Sequence, residues 1–82
     1  MVITVIGTVI RYMRKQKKYK QEVLGEMIKV KGNTITQYEK GQRNPTFETI
    51  EKIATLCDYT IYFKNNVTGE QFTAKDLDRK DI

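Results

Sequence analysis

Apolar residues recur at helical spacing through the first 57 residues of the chain, and the period then shortens to two. The helical stretches are short, and a short helix is stable only when its apolar face packs against neighbouring elements. A chain of 82 residues has room for one small hydrophobic core. The pattern therefore predicts a single, mainly α-helical domain that ends in a β-hairpin.

Four helices are predicted from the spacing, over residues 4–17, 21–28, 33–40 and 47–58. Gly41 suits the left-handed position that follows the third helix, and Thr46 is a natural N-cap for the fourth.

Residues 60–64 and 71–73 are rich in β-formers and flank a turn, which predicts the hairpin. Residues after the second strand alternate in charge and have little to bury, so we expect a short turn or a frayed tail there. We therefore divide the chain into a helical domain (1–58), its hairpin extension (59–74) and a tail (75–82).

The composition excludes several kinds of site. The sequence has no His, no Ser and no Trp, and one Cys, Cys57. A Ser–His or Cys–His nucleophile and a zinc site of Cys and His ligands are therefore ruled out, and we expect no enzyme activity, no metal and no cofactor. The longest uncharged run, Met1–Ile10, is about half of the ~20 residues that span a bilayer and lacks the features of a secretion signal. We expect a cytoplasmic protein.

Positive charge is concentrated near the start of the chain, whose formal net charge is +5. The first 20 residues hold Lys and Arg but no Asp or Glu, whereas acidic residues predominate after residue 46. Such a distribution favours a polyanionic partner, either nucleic acid or a membrane surface. A solvated helix face that only keeps the protein in solution is the alternative.

The second and third predicted helices flank a tight turn, which is the layout of a DNA-binding helix-turn-helix. The segments 21–28, 34–41 and 43–46 resemble the Cro/CI-type (XRE-like) family, and the match extends over roughly Ile6 to Leu56. The resemblance implies a four-helix, lambda-repressor-like domain that binds duplex DNA sequence-specifically and regulates transcription, most simply as a repressor. Five residues stand at the family's spacing: Gln21, Ile35, Glu39, Gly41 and Pro45.

The resemblance also implies the roles of individual residues. Gln21 would contact a phosphate, and Arg14 and Glu39 would form an ion pair between the first and third helices. The base-reading positions are Gly32, Asn33, Thr36 and Gln37. The phosphate positions beside Gln21 are Lys31, Lys40 and Arg43, and Lys31 also faces the groove.

The chemistry of these side chains agrees with base reading. Asn33 and Gln37 are four residues apart on one helix face, and each amide can make two hydrogen bonds to adenine. The methyl group of Thr36 can contact a thymine methyl. For Asn33 the alternative is a local role as the N-cap of the third helix.

Several residues depart from the family pattern. Lys20 and Lys31 replace the usual Ser or Thr caps, and we hypothesise that these uncapped helix starts bind DNA phosphates. Lys18 and Lys29 replace glycines of the family pattern. If the turn keeps a residue with left-handed backbone conformation at position 29, we expect the backbone of Lys29 to be strained, because a side chain disfavours positive φ. Gly25 replaces an alanine.

The remaining aromatic and acidic residues are assigned structural roles. We expect Cys57 and the tyrosines to be core residues, and Asp76, Asp78 and Asp81 to belong to a solvated tail rather than to a cation site. The tyrosines are Tyr12, Tyr19, Tyr38, Tyr59 and Tyr62.

We predict a homodimer that pairs through the hairpin, because Ile61, Phe63 and Phe72 would otherwise be exposed on a marginal element. Residues 1–5 would add a further strand. In the alternative, the hairpin folds back on the first and fourth helices.

Two other functions remain open. One is the antitoxin of a toxin–antitoxin pair, which would use the same DNA-binding domain. The other is an interaction or membrane-surface module that uses the basic first helix without reading DNA.

Overall fold

The computed structural model describes residues 5–78 of the chain. Its elements, in chain order, are α1 (Val5–Gln16), α2 (Gln21–Met27), α3 (Gly32–Glu39), α4 (Phe47–Leu56), β1 (Phe63–Lys64), β2 (Gln71–Phe72) and α5 (Ala74–Asp78). The four predicted helices are confirmed with ends shifted by two residues or fewer. Residues 1–4, which include most of the predicted extra strand, and residues 79–82, which include Asp81, lie outside the described part.

The expectation of a short turn or frayed tail after the hairpin is wrong for residues 74–78, which form α5. The helix begins with two reciprocal hydrogen bonds. Asp76 N donates to Thr73 Oγ1 at 3.3 Å, and Thr73 N donates to Asp76 Oδ2 at 2.8 Å. Together these bonds satisfy two backbone donors at the helix start, as a capping box does.

One hydrophobic core joins α1, α2, α3 and α4. Ile10, Leu24, Ile35 and Ile53 are fully buried at its centre, and Cys57 is buried beside them as predicted. Packing of α3 against both α1 and α2 fixes the position of α3 relative to the rest of the domain. An exposed ion pair between Lys17 Nζ and Asp58 Oδ2, 2.7 Å apart, links the ends of α1 and α4.

Only part of the prediction for the tyrosines is confirmed. Tyr38 is 7% exposed and Tyr19 packs against the core, but Tyr12, Tyr59 and Tyr62 are exposed on the surface. Tyr12 lies on α1 outside the stripe of Ile6, Ile10 and Met13 that faces the core. The other two follow α4, in the segment where the chain leaves the helical core.

All four core helices end in the same hydrogen-bonded turn. After α2, Val30 N donates to Gly25 O at 2.8 Å and Lys29 N donates to Glu26 O at 3.2 Å, which is a Schellman motif with Lys29 in the left-handed position. Gly41 occupies that position after α3, as predicted, with φ 75°. Lys18, Lys29 and Asp58 adopt it without being glycine, with φ between 58° and 68°. The strain expected at Lys29 is therefore present, because a side chain disfavours this conformation.

Two glycines allow close contact between elements. A Cβ on Gly7 would lie 2.6 Å from Tyr38 O, so α1 can cross the end of α3 only with glycine there. A Cβ on Gly25 would lie 2.8 Å from Val30 O, in the turn between α2 and α3. The glycine that replaces the family's alanine at position 25 therefore matches the closeness of this turn.

The hairpin is shorter than predicted, with two residues in each strand and Phe63 paired with Phe72. The rings of these two residues stack with centroids 5.5 Å apart, and Phe63 also approaches Phe47 of α4 at 6.0 Å. Ile61 packs against the helical core. The base of the hairpin thus folds back on α4, while Phe63 remains 46% exposed.

Candidate nucleic-acid interface

A buried ion pair joins α1 to the end of α3. Arg14 Nε donates to Glu39 Oε2 at 2.6 Å and Arg14 Nη2 donates to Glu39 Oε1 at 3.0 Å, so the contact is bidentate. The side chains are 11% and 4% exposed, respectively. This hydrogen bonding raises the pKa of Arg14 above its ordinary value. The pair is the one that the family resemblance implies.

The ion pair is extended by hydrogen bonds on both sides. Arg14 Nη1 donates to Tyr19 O at 2.9 Å, which fixes the turn between α1 and α2. Gln21 Nε2 donates to Glu39 Oε1 at 3.2 Å, and Thr36 Oγ1 donates to Gln21 Oε1 at 2.7 Å. One polar network therefore connects α1, the start of α2 and the middle of α3.

The network leaves two amide side chains of α3 available. Within residues 5–78, no hydrogen bond or ion pair engages the side chain of Asn33 or Gln37. The helix begins at Gly32 with Lys31 as its N-cap, so the alternative in which Asn33 caps the helix is wrong. The helix starts one residue earlier than predicted, which places Asn33 inside its first turn, where the side chain is exposed.

The starts of α2 and α3 have no side-chain cap. Lys20 and Lys31 occupy the N-cap positions in extended conformation, and neither side chain makes a cap hydrogen bond. Backbone N–H groups in the first turn of a helix lack helical partners, and the helix dipole adds positive charge there. Both lysines are exposed. The first turn of α3 carries no acidic residue, whereas that of α2 carries the exposed Glu22, so the positive charge is clearer at the start of α3.

A polar cleft separates the starts of α2 and α3. Several predicted site residues line it, together with Arg14 and Glu22: Lys20, Gln21, Gly32, Asn33 and Thr36. A Cβ on Gly32 would lie 3.0 Å from Glu22 Cα, so the close approach of the two helices is sufficient reason for glycine at this position.

Four predicted site residues do not line this cleft: Lys31, Gln37, Lys40 and Arg43. Gln37 follows Asn33 by one helical turn, and Lys40 is the exposed C-cap of α3. Arg43 N donates to Gln37 O at 3.3 Å, which holds the loop after α3 close to the helix end. The loop thereby keeps the Arg43 backbone next to α3, with an exposed side chain.

Sequence reasoning missed the contact between Thr36 and Gln21. The two residues are 15 positions apart on different helices, and no local spacing relates them.

Asp, Glu and Cys residues form no cluster suited to a metal ion anywhere in residues 5–78. No helix within that range is long and apolar enough to cross a membrane.

A family model described as helix-turn-helix matches residues 10–63. Among solved structures, the chain is similar to the P22 c2 repressor protein, solved in complex with synthetic operator 9T in the presence of Tl⁺. The two chains are 28% identical with a TM-score of 0.62, over 70% of this chain and 86% of the repressor chain. A search of curated protein sequences gave no match.

Proposed function

Because the chain belongs to the helix-turn-helix family and its Cro/CI-type character is confirmed, we propose that it binds duplex DNA sequence-specifically and regulates transcription. The family and the fold are those of DNA-binding regulators rather than of enzymes. The P22 c2 repressor is bound to an operator in its own structure. By analogy, α3 enters the major groove, and the protein acts as a repressor by occluding a promoter.

The observation that most directly supports base reading is the placement of the Asn33 and Gln37 side-chain amides. They make no hydrogen bond within residues 5–78 and lie one turn apart on α3, which packs against both α1 and α2. A rigid helix with free amide groups suits bidentate contact with adenine. Gly32 and Thr36 belong to the same helix and line the polar cleft together with Asn33. The Thr36 hydroxyl is already bonded to Gln21, so its methyl group is what remains for contact with a thymine.

Phosphate contacts surround this reading surface. Gln21 and Lys20 lie at the start of α2, and Lys31 lies at the start of α3. Lys40 and Arg43 follow the end of α3. The cations therefore flank both ends of the proposed reading helix, where they would meet the backbones on either side of the groove. The absence of side-chain caps at both lysine-bearing starts supports our phosphate hypothesis.

The function is tested by selecting bound sites from a random duplex library. Enrichment of one short sequence, with affinity well above that for random duplex, is the expected result. Recovery of unenriched sequences with no measurable binding would refute the proposal. Binding to anionic vesicles without binding to duplex DNA would instead favour the membrane-surface alternative.

We further propose that two copies pair through the hairpin and the apolar groove beside it. The groove lies between α1 and α4, and its exposed members include Val9, Tyr12, Phe47 and Phe63. Among residues 5–78, no charged residue lines the groove, so two copies of a protein with net charge +5 can meet there without burying charge from this lining. A single eight-residue helix spans only a few base pairs, and a two-fold pair would read two half-sites.

Sedimentation without DNA tests the pairing. A dimer at tens of micromolar that becomes monomeric in Phe63→Glu is expected, because a buried charge would oppose association. The exposed Val67 at the hairpin tip provides the control, and Val67→Glu should leave the dimer intact. A strictly monomeric wild-type protein in moderate salt would refute the proposal.

A further inference from the structure

The amide of Gln21 is held at both ends by protein groups. Its oxygen accepts from Thr36 Oγ1 at 2.7 Å, and its nitrogen donates to Glu39 Oε1 at 3.2 Å. Glu39 is itself fixed by Arg14 and is 6% exposed. Reversal of the amide would place its oxygen against the Glu39 carboxylate, so the observed orientation is the one that satisfies both partners.

This arrangement leaves one hydrogen of Gln21 Nε2 without a hydrogen-bond partner among residues 5–78. An amide nitrogen carries two hydrogens, and Glu39 takes one of them. The residue is half-buried and lines the polar cleft together with Lys20 and Glu22, at the start of α2. The remaining N–H can therefore donate to an anionic oxygen that the Lys20 side chain attracts into this cleft.

We propose that Thr36 is a positioning residue: its hydroxyl aims the free N–H of Gln21 at a DNA phosphate. This inference rests on the proposed DNA-binding function and gives Thr36 a role beyond contact of its methyl group with a base. The hydroxyl has a single hydrogen, and its distance to Gln21 Oε1 is shorter than its 3.3 Å distance to Gly32 O. The phosphate contact made from α2 is thereby coupled to the position of α3.

Two substitutions separate the hydroxyl from the methyl group. Thr36→Val keeps the branched shape and removes the hydroxyl, whereas Thr36→Ser keeps the hydroxyl and removes the methyl. We expect Thr36→Val to weaken binding about tenfold, as befits one hydrogen bond to a charged acceptor, and equally on the selected site and on random duplex. The dependence of affinity on salt should not change, because glutamine carries no charge to exchange for counterions.

The conservative variant gives the opposite pattern. Thr36→Ser should bind random duplex as tightly as the wild type does. In a protein that already carries Gln21→Ala, Thr36→Val should not lower DNA affinity further, because the two residues act through the same phosphate contact. A general loss of stability would not produce this coupling. Circular dichroism verifies folding. If the valine protein does not fold, Thr36→Ala replaces it, and the loss is then read on random duplex, because alanine also lacks the methyl group.

The inference would be overturned if the hydroxyl-free variant, Thr36→Val or Thr36→Ala, bound DNA with full affinity. It would also be overturned if the affinity losses of that variant and of Gln21→Ala were additive. A loss confined to one base pair of the selected site would likewise overturn it, because such a loss would assign Thr36 to base contact alone. A wild-type protein that binds no duplex at all would refute the proposed function itself, and that outcome is separate from any difference between the variants.

Discussion

Arg14 Nε lies 2.6 Å from Glu39 Oε2, so the first helix holds the last residue of the third. Both side chains are largely buried, and Gln21 adds a further hydrogen bond to the same carboxylate. The orientation of α3 therefore depends on a charge pair far apart in sequence. Removal of one member would leave the other charge buried without its partner.

Glu39→Gln should lower the free energy of unfolding by about 2–3 kcal/mol, because it leaves the Arg14 cation without a counter-charge. Urea unfolding measures the loss. The matched control is Asp58→Asn, which breaks the exposed pair with Lys17 and should have a much smaller effect. Equal effects of the two substitutions would contradict the importance assigned to the buried pair.

Lys29→Gly should stabilise the protein by about 1 kcal/mol, because glycine adopts the left-handed conformation at φ 62° without steric cost. Thermal unfolding measures the gain. Lys29→Ala removes the same charge but keeps a Cβ, so it should bring little or no stabilisation. If both substitutions raised the melting temperature equally, charge rather than backbone strain would be the cause.

Burial raises the pKa of the Cys57 thiol above its ordinary value of 9.0. Because the folded-state pKa is the higher one, the contribution of Cys57 to stability is complete below pH 9.0 and is lost as the pH rises through the folded value. The stability difference between wild type and Cys57→Ala should therefore shrink above pH 9. A pH-independent difference would show that the thiol does not titrate as described.

Replacement of Lys31, Lys40 and Arg43 by glutamine should flatten the dependence of log affinity on log salt. Each phosphate contact contributes about −0.9 to the slope, so the triple variant should lose between two and three units. Lys15, an exposed residue on α1 outside the proposed interface, supplies the control substitution. An unchanged slope in the triple variant would remove these residues from the interface.

The helices were predictable because apolar spacing is a local signal, as the stripe of Ile6, Ile10 and Met13 in α1 shows. The short helix α5 was not, because it depends on the reciprocal bonds of Thr73 and Asp76 rather than on an apolar face. The exposure of Tyr12 was also missed, because Tyr12 lies on α1 outside the stripe of Ile6, Ile10 and Met13 that packs into the core.

Within the candidate site, family spacing indicated the Arg14–Glu39 pair, which the structure contains. The bond from Thr36 to Gln21 was not predictable, because it requires the relative placement of α2 and α3 to within hydrogen-bond distance. The Asn33 side chain was assigned two competing roles, and the start of α3 at Gly32 removes the capping role.

The central claim, that α3 reads bases, is tested most directly by the affinity of Gln37→Ala for the selected site and for random duplex. We expect a loss of about 1–3 kcal/mol on the selected site, relaxed preference at one base pair and little change on random duplex. An equal loss on both duplexes, or no loss on either, would contradict base reading by Gln37.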